Sequence, residues 1–254
     1  MSHRALVDAE LKVSITAIHA RSHRNYGRPR IHAELRADGI TIGAKRVGRL
    51  MKSVGIAGVR AKRFRKTTDS NHAMPIACNL VARQFSVTAI GGRDRVWAGD
   101  ITYIPTQEGW LYLAVVIDLA SRRVIGWSMK PTMRRELVLE ALQNAIRDRR
   151  PPSGTLFHSD RGSQYACADF RELLDRHEMI ASMSRRAECW DNAVVESFFG
   201  SLKAELGDPV WESRASARSA IFAYIEIWYN RQRRHSTLGY VSPEQYETQL
   251  PFAA

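Results

Sequence analysis

Three segments rich in Val, Ile, Tyr and Trp follow one another between residues 96 and 129, with only short turns between them. Residues 96–104, 110–119 and 123–129 are bounded by Gly, Pro and charged residues, as is typical of sequential antiparallel strands. Helix-type and strand-type patterns then alternate along the chain. This order predicts an α/β domain built on one mixed sheet flanked by helices.

The alternating part opens with a helix whose apolar residues recur at helical spacing, namely Leu137, Ala141, Leu142 and Ala145. The elements predicted in this part are helix 134–149, strand 155–158, helix 167–178, strand 180–183 and helices 191–206 and 213–233. The chain has no internal repeat and no low-complexity segment.

Three acidic residues stand where each could present a carboxylate. Asp100 interrupts an apolar strand, in which Asp is disfavoured, so its presence calls for a reason. Asp160 ends the segment 155–160 and precedes Arg161-Gly162, and Glu196 lies in a segment that predicts a helix. Converging carboxylates bind Mg²⁺ or Mn²⁺. Two such ions can activate an attacking oxygen and stabilise a leaving one at phosphorus, so the pattern indicates an enzyme that cuts and joins DNA.

Each acid also has a structural interpretation. Asp100 could pair with a buried Arg, Asp160 could form an Asx-turn at a strand end, and Glu196 could be an exposed helix residue. Asp118 also ends a strand, but Arg122 is near enough in sequence to neutralise it, so we predict a structural role for it. His158 has no Cys partner nearby and is expected to support the site or pack beneath it.

The acidic segments 97–104, 158–165 and 189–199 resemble the three acidic motifs of insertion-sequence transposases. The match is to the catalytic, second-reading-frame protein of the insertion sequence 3 family, which is similar to retroviral integrases. The resemblance spans residues 20–250, with further matching segments at 26–51, 110–119 and 229–240. Ala187-Glu188 departs from the commoner Gly-Asn pair and adds a negative charge near the site.

The resemblance implies a ribonuclease-H-like fold of the retroviral integrase type. It implies that Asp100, Asp160 and Glu196 are catalytic and bind Mg²⁺, for which Mn²⁺ can substitute, with His158 and Asn192 supporting the site. The implied partners are insertion-sequence ends and target DNA, a homo-oligomer formed on DNA, and an upstream-frame protein or fusion partner.

The N-terminal third carries the positive charge of the chain. Residues 1–95 hold 19 Lys and Arg against 6 Asp and Glu, whereas residues 96–254 hold 19 against 20. A basic face favours a polyanion such as DNA, although a basic cluster alone can be an ordinary solvated surface. The residues predicted to contact DNA are Lys45, Arg46, Arg49, Lys52, Arg63, Arg65, Lys66 and Lys203.

Helices predicted at 4–23, 30–37 and 44–54 precede this change in charge. Leu6, Val13 and Ala17 lie loosely on one face of the first, and Asp38-Gly39 forms the turn between the second and third. A basic second element after a tight turn suits a helix-turn-helix DNA reader, although a plain helical hairpin fits the pattern nearly as well.

These patterns divide the chain into a basic helical region at 1–66, a linker at 67–94 with a short helix near 76–85, and a catalytic domain with a helical extension at 95–254. Within the extension, the residues 231–235 could grip DNA, bind a partner subunit or pack back onto the catalytic domain. The sequence leaves these three alternatives open.

Scattered cysteines fit a reducing cytoplasm, and the chain shows neither a secretory segment nor an 18-residue apolar run. We therefore expect a cytoplasmic bacterial protein that associates with the nucleoid when bound to DNA. Two other classes fit the same residues: a nuclease that cuts without joining, and a DNA-binding partner that keeps the fold without catalysis.

Overall fold

The computed structural model describes residues 2–59, 74–186 and 188–250, with the side chains of Cys189 and Trp190 left out. The strands are β1 (Val96–Thr106), β2 (Gly109–Asp118), β3 (Val124–Lys130), β4 (Leu156–Ser159) and β5 (Ile180–Met183). The helices are α1 (His3–Arg21), α2 (Arg28–Ala37), α3 (Ala44–Ser53), α4 (Val87–Ile90), α5 (Arg135–Arg149), α6 (Ser163–Ala166), α7 (Ala168–Arg176), α8 (Ala193–Leu206), α9 (Arg214–Phe222) and α10 (Pro243–Glu247). Turns of 3-10 helix lie at Cys189–Asn192 and Ser236–Leu238, and a π-helical segment at Ala223–Tyr229 continues α9.

The five strands form one mixed sheet in the order β3-β2-β1-β4-β5. The three long strands are antiparallel, as predicted; β4 pairs with β1 in parallel, and β5 pairs with β4 in parallel. Antiparallel neighbours need only short turns, whereas parallel addition requires the crossover that α5 supplies. Each predicted strand is present, with ends shifted by at most two residues.

Helices cover both faces of the sheet, so the strands have two apolar faces. On β1, Ala98 and Ile104 belong to the core that contains Phe198 of α8. Trp97 belongs to the opposite core, which α5 and α7 complete. This alternation follows from the two-residue period of a strand. The four inward residues predicted for α5 are all buried.

Gly126 explains how closely α5 approaches the sheet. A Cβ atom built on this residue of β3 would overlap the carbonyl oxygen of Ala141 and approach the backbone nitrogen of Ala145 at 2.7 Å. The missing side chain therefore lets α5 lie directly on β3.

The N-terminal helices are present at the predicted places, but the face assigned to α1 was wrong. Its buried residues are Leu11, Ile15 and Ile18, whereas Leu6 and Val13 are 51% and 71% exposed. Both sets recur at helical spacing, so periodicity alone did not show which face meets α2 and α3. The predicted turn between those two helices is confirmed, with Gly39 at φ 80°.

The segment 74–94 lies against the sheet, and its short helix is α4 rather than the predicted one near 76–85, a stretch that the structure describes in full. The carbonyl of Cys78 accepts a hydrogen bond from the N–H of Met183, and the N–H of Leu80 donates to the hydroxyl of Ser182 at 2.9 Å. Backbone groups used in this way along β5 are unavailable for helical hydrogen bonds.

In the segment 231–235, two arginines contact other parts of the same chain. Arg233 is buried and its guanidinium lies 2.7 Å from Glu205 of α8. Arg234 pairs with Glu34 of α2 at 2.9 Å, and its N–H donates to the hydroxyl of Tyr26. This segment therefore packs back onto α8 and onto the N-terminal helices. No helix in the described ranges is long and apolar enough to cross a membrane.

Candidate active site

Asp100 and Asp160 are brought together by the pairing of β1 with β4. These strands are parallel, and Ala98 lies opposite His158. Asp100 lies two residues after Ala98 on β1, and Asp160 lies two residues after His158, immediately past the end of β4, so the same register places them side by side. Sequence spacing could not show this, because it depends on which strand β4 joins.

The carboxylate of Asp160 shapes the turn that leaves β4. Its Oδ1 accepts a hydrogen bond from the N–H of Gly162 at 2.9 Å, which is an Asx-turn. The Asx-turn considered for Asp160 is thus present.

Glu196 lies in the first turn of α8, and the start of this helix is fixed to β1. The side-chain amide of Asn192 donates to the carbonyl of Gly99 at 3.1 Å. Val195, Phe198, Phe199 and Leu202 bury the other side of α8. The helix is therefore anchored on the strand that carries Asp100, with Glu196 half-buried beside it.

The electrostatics of Asp100 link the three acids. Burial raises the pKa of Asp100 well above its usual range, and the charges of Asp160 and Glu196 raise it further, against the opposing N–H of Ile101. Burial also raises the pKa of Glu196. Burial, Asp100 and Asp160 together raise the pKa of the Tyr165 hydroxyl. Carboxylates in such a setting gain stability from a cation between them.

The three carboxylates do not lie close enough together to surround a single metal ion in the described part of the chain. Among the residues that the structure describes, no three His, Cys, Asp or Glu side chains lie close enough together to enclose one metal ion. Asp160 affects the pKa of Asp100 more than Glu196 does. Asp100 and Asp160 come from the adjacent strands β1 and β4, whereas Glu196 comes from α8, whose start is bonded to β1 through Asn192.

His158 is fully buried beneath the site and does not face it. Its Nε2 donates to the carbonyl of Asp191 at 2.9 Å, and its Nδ1 accepts from the hydroxyl of Ser182 at 2.9 Å. Burial lowers the pKa of His158 to about 4, so the ring is neutral at pH 7. These contacts join β4 to β5 and to the turn before α8.

Asp191 was not singled out from the sequence, yet it makes the densest set of polar contacts near the site. Its fully buried carboxylate accepts from Arg83 at 2.6 Å, from Arg185 at 2.9 Å and from Asn79 at 2.8 Å. An Asp beside Asn192 at a predicted helix start was the available signal, since Asp is common at such positions.

Asp118 has the structural role predicted for it, by a different route. It is fully buried, and its carboxylate accepts from the N–H groups of Asp94, Ala120 and Ser121. The guanidinium of Arg122 instead donates to the carbonyl of Phe85. Burial raises the pKa of Asp118 to about 6 while the N–H donors oppose that shift.

The candidate DNA-binding residues fall into three groups. Lys45 and Lys52 of α3 are exposed, whereas Arg46 and Arg49 pair with Asp8 of α1 at 2.7 and 3.0 Å. The Nζ of Lys203 lies 5.7 Å from the ring centre of Tyr103, and burial lowers the pKa of Lys203. The remaining candidates, Arg63, Arg65 and Lys66, lie outside the described residues.

Comparisons with protein families agree with this architecture. Residues 92–189 and 177–243 match two families described as Integrase core domain, and residues 6–64 match a family described as HTH-like domain. The chain is thus an integrase-core protein of the DDE type with a helix-turn-helix-like N-terminal part.

Two relatives define its family more closely. The chain is 45% identical over 234 residues to the transposase InsF for insertion sequence IS3A of Escherichia coli (strain K12), which covers 92% of this chain and 80% of that protein. It is 44% identical over 246 residues to the insertion element IS600 uncharacterized 31 kDa protein of Shigella sonnei, covering 96% of this chain and 89% of that protein. The chain belongs to the insertion sequence 3 family of transposases, whose activity is DNA transposition.

A solved structure shows the same fold at low identity. The simian T-cell lymphotropic virus intasome in complex with PP2A regulatory subunit B56 gamma contains a chain that matches with a TM-score of 0.52 and 16% identity. The match covers 94% of this chain and 78% of that one. The ribonuclease-H-like fold of the integrase type, predicted from the sequence, is confirmed.

Proposed function

We propose that this transposase cleaves and joins DNA strands by metal-dependent phosphoryl transfer, and that Asp100, Asp160 and Glu196 are its catalytic, metal-binding residues. The single observation that carries this proposal is the parallel pairing of β1 with β4, which places Asp100 beside Asp160, while the helix that carries Glu196 is bonded to the same strand. Three such carboxylates offer hard oxygen ligands, which suit Mg²⁺ and allow Mn²⁺ to substitute.

Bound divalent ions would lower the pKa of an attacking water or DNA 3′-hydroxyl and stabilise the leaving 3′-oxygen. The chain supplies the positioning. β1 and β4 fix Asp100 and Asp160 on a rigid sheet, and Asn192 sets the start of the helix that carries Glu196. Little side-chain acid-base chemistry is needed when placement and charge neutralisation lower the barrier.

DNA is the proposed substrate and main partner. Lys45 and Lys52 extend from α3 toward solvent, as the second helix of a DNA-reading pair would require. Lys203 lies two turns after Glu196 on α8, where it could contact a phosphate close to the reacting one. We further propose that the chain acts as a homo-oligomer on insertion-sequence ends and works with an upstream-frame protein or as its fusion.

The test uses labelled insertion-sequence ends in Mg²⁺ or Mn²⁺ with wild type, Asp100→Asn, Asp160→Asn and Glu196→Gln. Each variant should lose cleavage and joining while its DNA affinity in gel shifts stays near that of wild type, because metal binding needs ionised oxygens. Near-normal cleavage by one variant would remove that residue from the site.

Product analysis separates the two alternative classes. A nuclease that only cuts yields shortened strands and no strand-joined DNA. A chain that only binds DNA yields neither product, and it does not bind divalent metal in a direct titration.

A further inference from the structure

We propose that Asp191 is a positioning residue for Glu196. Arg83, from the segment preceding the sheet, binds Asp191 and holds it in place. The inference rests on the function proposed above, because it concerns the placement of one of the three acids. We call Arg83 and the two carboxylates that it binds, Asp191 and Glu188, the Arg83 clasp.

The carboxylate of Asp191 is the centre of this arrangement. It is completely shielded from solvent, and both of its oxygens accept charged donors: Arg83 Nε at 2.6 Å and Arg185 Nη2 at 2.9 Å on one, Arg185 Nε at 3.0 Å on the other. The N–H of Arg185 and the amide of Asn79 complete the set. A buried carboxylate with this many charge-assisted hydrogen bonds has one fixed orientation.

The backbone of Asp191 is fixed from the opposite side. Its carbonyl accepts from His158 Nε2, and His158 Nδ1 accepts from the hydroxyl of Ser182, whose oxygen in turn accepts from the N–H of Leu80. His158 is one residue position from the end of β4, which leads directly to Asp160. The same chain of hydrogen bonds therefore connects Asp191, the strand before Asp160 and the segment that carries Arg83.

Fixing Asp191 fixes the helix that follows it. Asp191 and Asn192 are the last residues before α8 begins at Ala193, and Glu196 lies in the first turn. The Asn192 amide bonds to Gly99, next to Asp100. A small displacement of this turn moves Glu196 relative to Asp100, and misplacement by about 1 Å can cost roughly 100-fold in rate.

Glu188 adds a second carboxylate to the clasp. Arg83 forms an ion pair with Glu188 while also binding Asp191. The added negative charge near the site is therefore balanced by a cation from the preceding segment. A planar guanidinium can serve two carboxylates at once, which an ammonium does less well.

The test measures Mn²⁺ binding directly, from the electron paramagnetic resonance signal of free Mn²⁺, in full-length wild type, Asp191→Asn, Arg83→Ala and Arg83→Lys. We expect Asp191→Asn to weaken Mn²⁺ binding by about 10-fold or more, the usual cost of losing a supporting residue. Arg83→Ala should weaken it less, because Arg185 remains, and Arg83→Lys should fall between Arg83→Ala and wild type.

Asp148→Asn is the matched control, because Asp148 pairs with an arginine on the exposed side of α5. It should bind Mn²⁺ as wild type does. Lower melting temperatures with unchanged Mn²⁺ affinity in both Asp191→Asn and Arg83→Ala would show a merely structural role and overturn the inference. Failure of wild type itself to bind Mn²⁺ would overturn the proposed function instead. Arg83→Ala keeps the test decisive if Asp191→Asn does not fold, because Arg83 is 40% exposed.

Discussion

Asn192 donates a hydrogen bond from its side-chain amide to the backbone carbonyl of Gly99, 3.1 Å away. The contact joins the residue before α8 to the residue before Asp100, across 93 positions of sequence. It lies one residue beyond the last pair of β1 with β4, Ala98 and His158, and the Asn192 amide supplies the hydrogen bond to the Gly99 carbonyl there. This contact is one of those that fix the position of Glu196 relative to Asp100, and it is the one that bonds the start of α8 directly to β1.

Asn192→Ala should reduce strand cleavage more than its effect on stability explains. Leaving a buried carbonyl unpaired costs about 1–3 kcal/mol. Asn144→Ala is the control, because Asn144 makes the same kind of bond, to the carbonyl of Trp127 at 3.1 Å, away from the acids. Both variants should lose similar free energy of unfolding in urea, but only Asn192→Ala should lose cleavage.

Gly99→Ala tests the close packing behind Asp100. An added Cβ would lie 2.7 Å from Cζ of Phe157 and 3.4 Å from the Tyr165 hydroxyl oxygen. Phe157 is fully buried and cannot move aside, so we expect a loss of about 1–3 kcal/mol and a shift of β1 at Asp100. Gly43→Ala, with open space around its Cβ, loses only the preference for Gly at the N-cap of α3 and should cost less than about 1 kcal/mol. Equal losses in urea melts would contradict this packing argument.

Much of the sheet was predictable because its strands carry local patterns. Asp100 interrupting an apolar strand and Glu196 on an amphipathic helix could both be located from neighbouring residues alone. Their proximity could not be worked out from the residues, because it depends on β4 joining β1 in parallel.

The wrong predictions share a physical cause. The apolar face predicted for α1 and the helix expected near 76–85 were both inferred from neighbouring residues in the sequence. In the structure, contacts with distant residues determine which face of α1 is buried and which conformation the segment 76–85 adopts. Leu80 bonds to Ser182, and Arg83 bonds to Asp191. Asp191 was overlooked for the same reason, since its partners come from segments that are far apart in sequence.

The raised pKa of Asp100 predicts how stability without metal depends on pH. A folded-state pKa above the unfolded value means that the folded chain binds the proton more tightly. The contribution of Asp100 to the free energy of unfolding therefore rises as pH falls through the raised pKa toward the ordinary value of 3.8, and it is lost as pH rises.

In EDTA at neutral pH, Asp100→Asn and Asp160→Asn should therefore melt higher than wild type, by about 2–4 °C for each kcal/mol of repulsion removed. The advantage of Asp100→Asn should shrink on acidification. Added Mn²⁺ should raise the melting temperature of wild type more than that of either variant, since the ion binds the folded state. Lower melting of both variants in EDTA, with no effect of metal, would indicate three independent structural acids.

Substitution by Ala should lower the free energy of unfolding much more at Arg149 than at Arg147, although both arginines lie at the end of α5. Arg149 is 11% exposed and lies 2.8 Å from Asp94 and 2.9 Å from Glu247, both buried. Arg149→Ala removes the cation that Asp94 and Glu247 share and leaves them only Arg93 and Arg123 respectively, so it should cost about 2–3 kcal/mol. Arg147 is 70% exposed beside an exposed Asp148, so Arg147→Ala should change stability by less than about 0.5 kcal/mol in urea melts. If Arg149→Ala lowers the free energy of unfolding as little as Arg147→Ala does, the buried ion pairs of Arg149 do not contribute to stability.

The salt dependence of DNA binding should distinguish the free from the paired cations of α3. Each phosphate contact contributes about −0.9 to the log–log slope of affinity against salt. Lys45→Ala and Lys52→Ala should each flatten the slope by about that amount. Point substitutions are preferable to deleting residues 1–90, because Tyr26 packs against Trp228 and the deletion would expose a shared core.

Asp8→Asn completes this comparison. Asp8 holds Arg46 and Arg49, so its neutralisation should release both cations, raise DNA affinity at low salt and steepen the slope. Lys12→Ala, on α1 of the same N-terminal part, controls for overall charge and should leave the slope unchanged. Fluorescence anisotropy with labelled duplex at several salt concentrations measures every slope. Equal flattening by Lys12→Ala and Lys45→Ala would mean that DNA responds to net charge, and α3 would then have no special role in gripping the backbone.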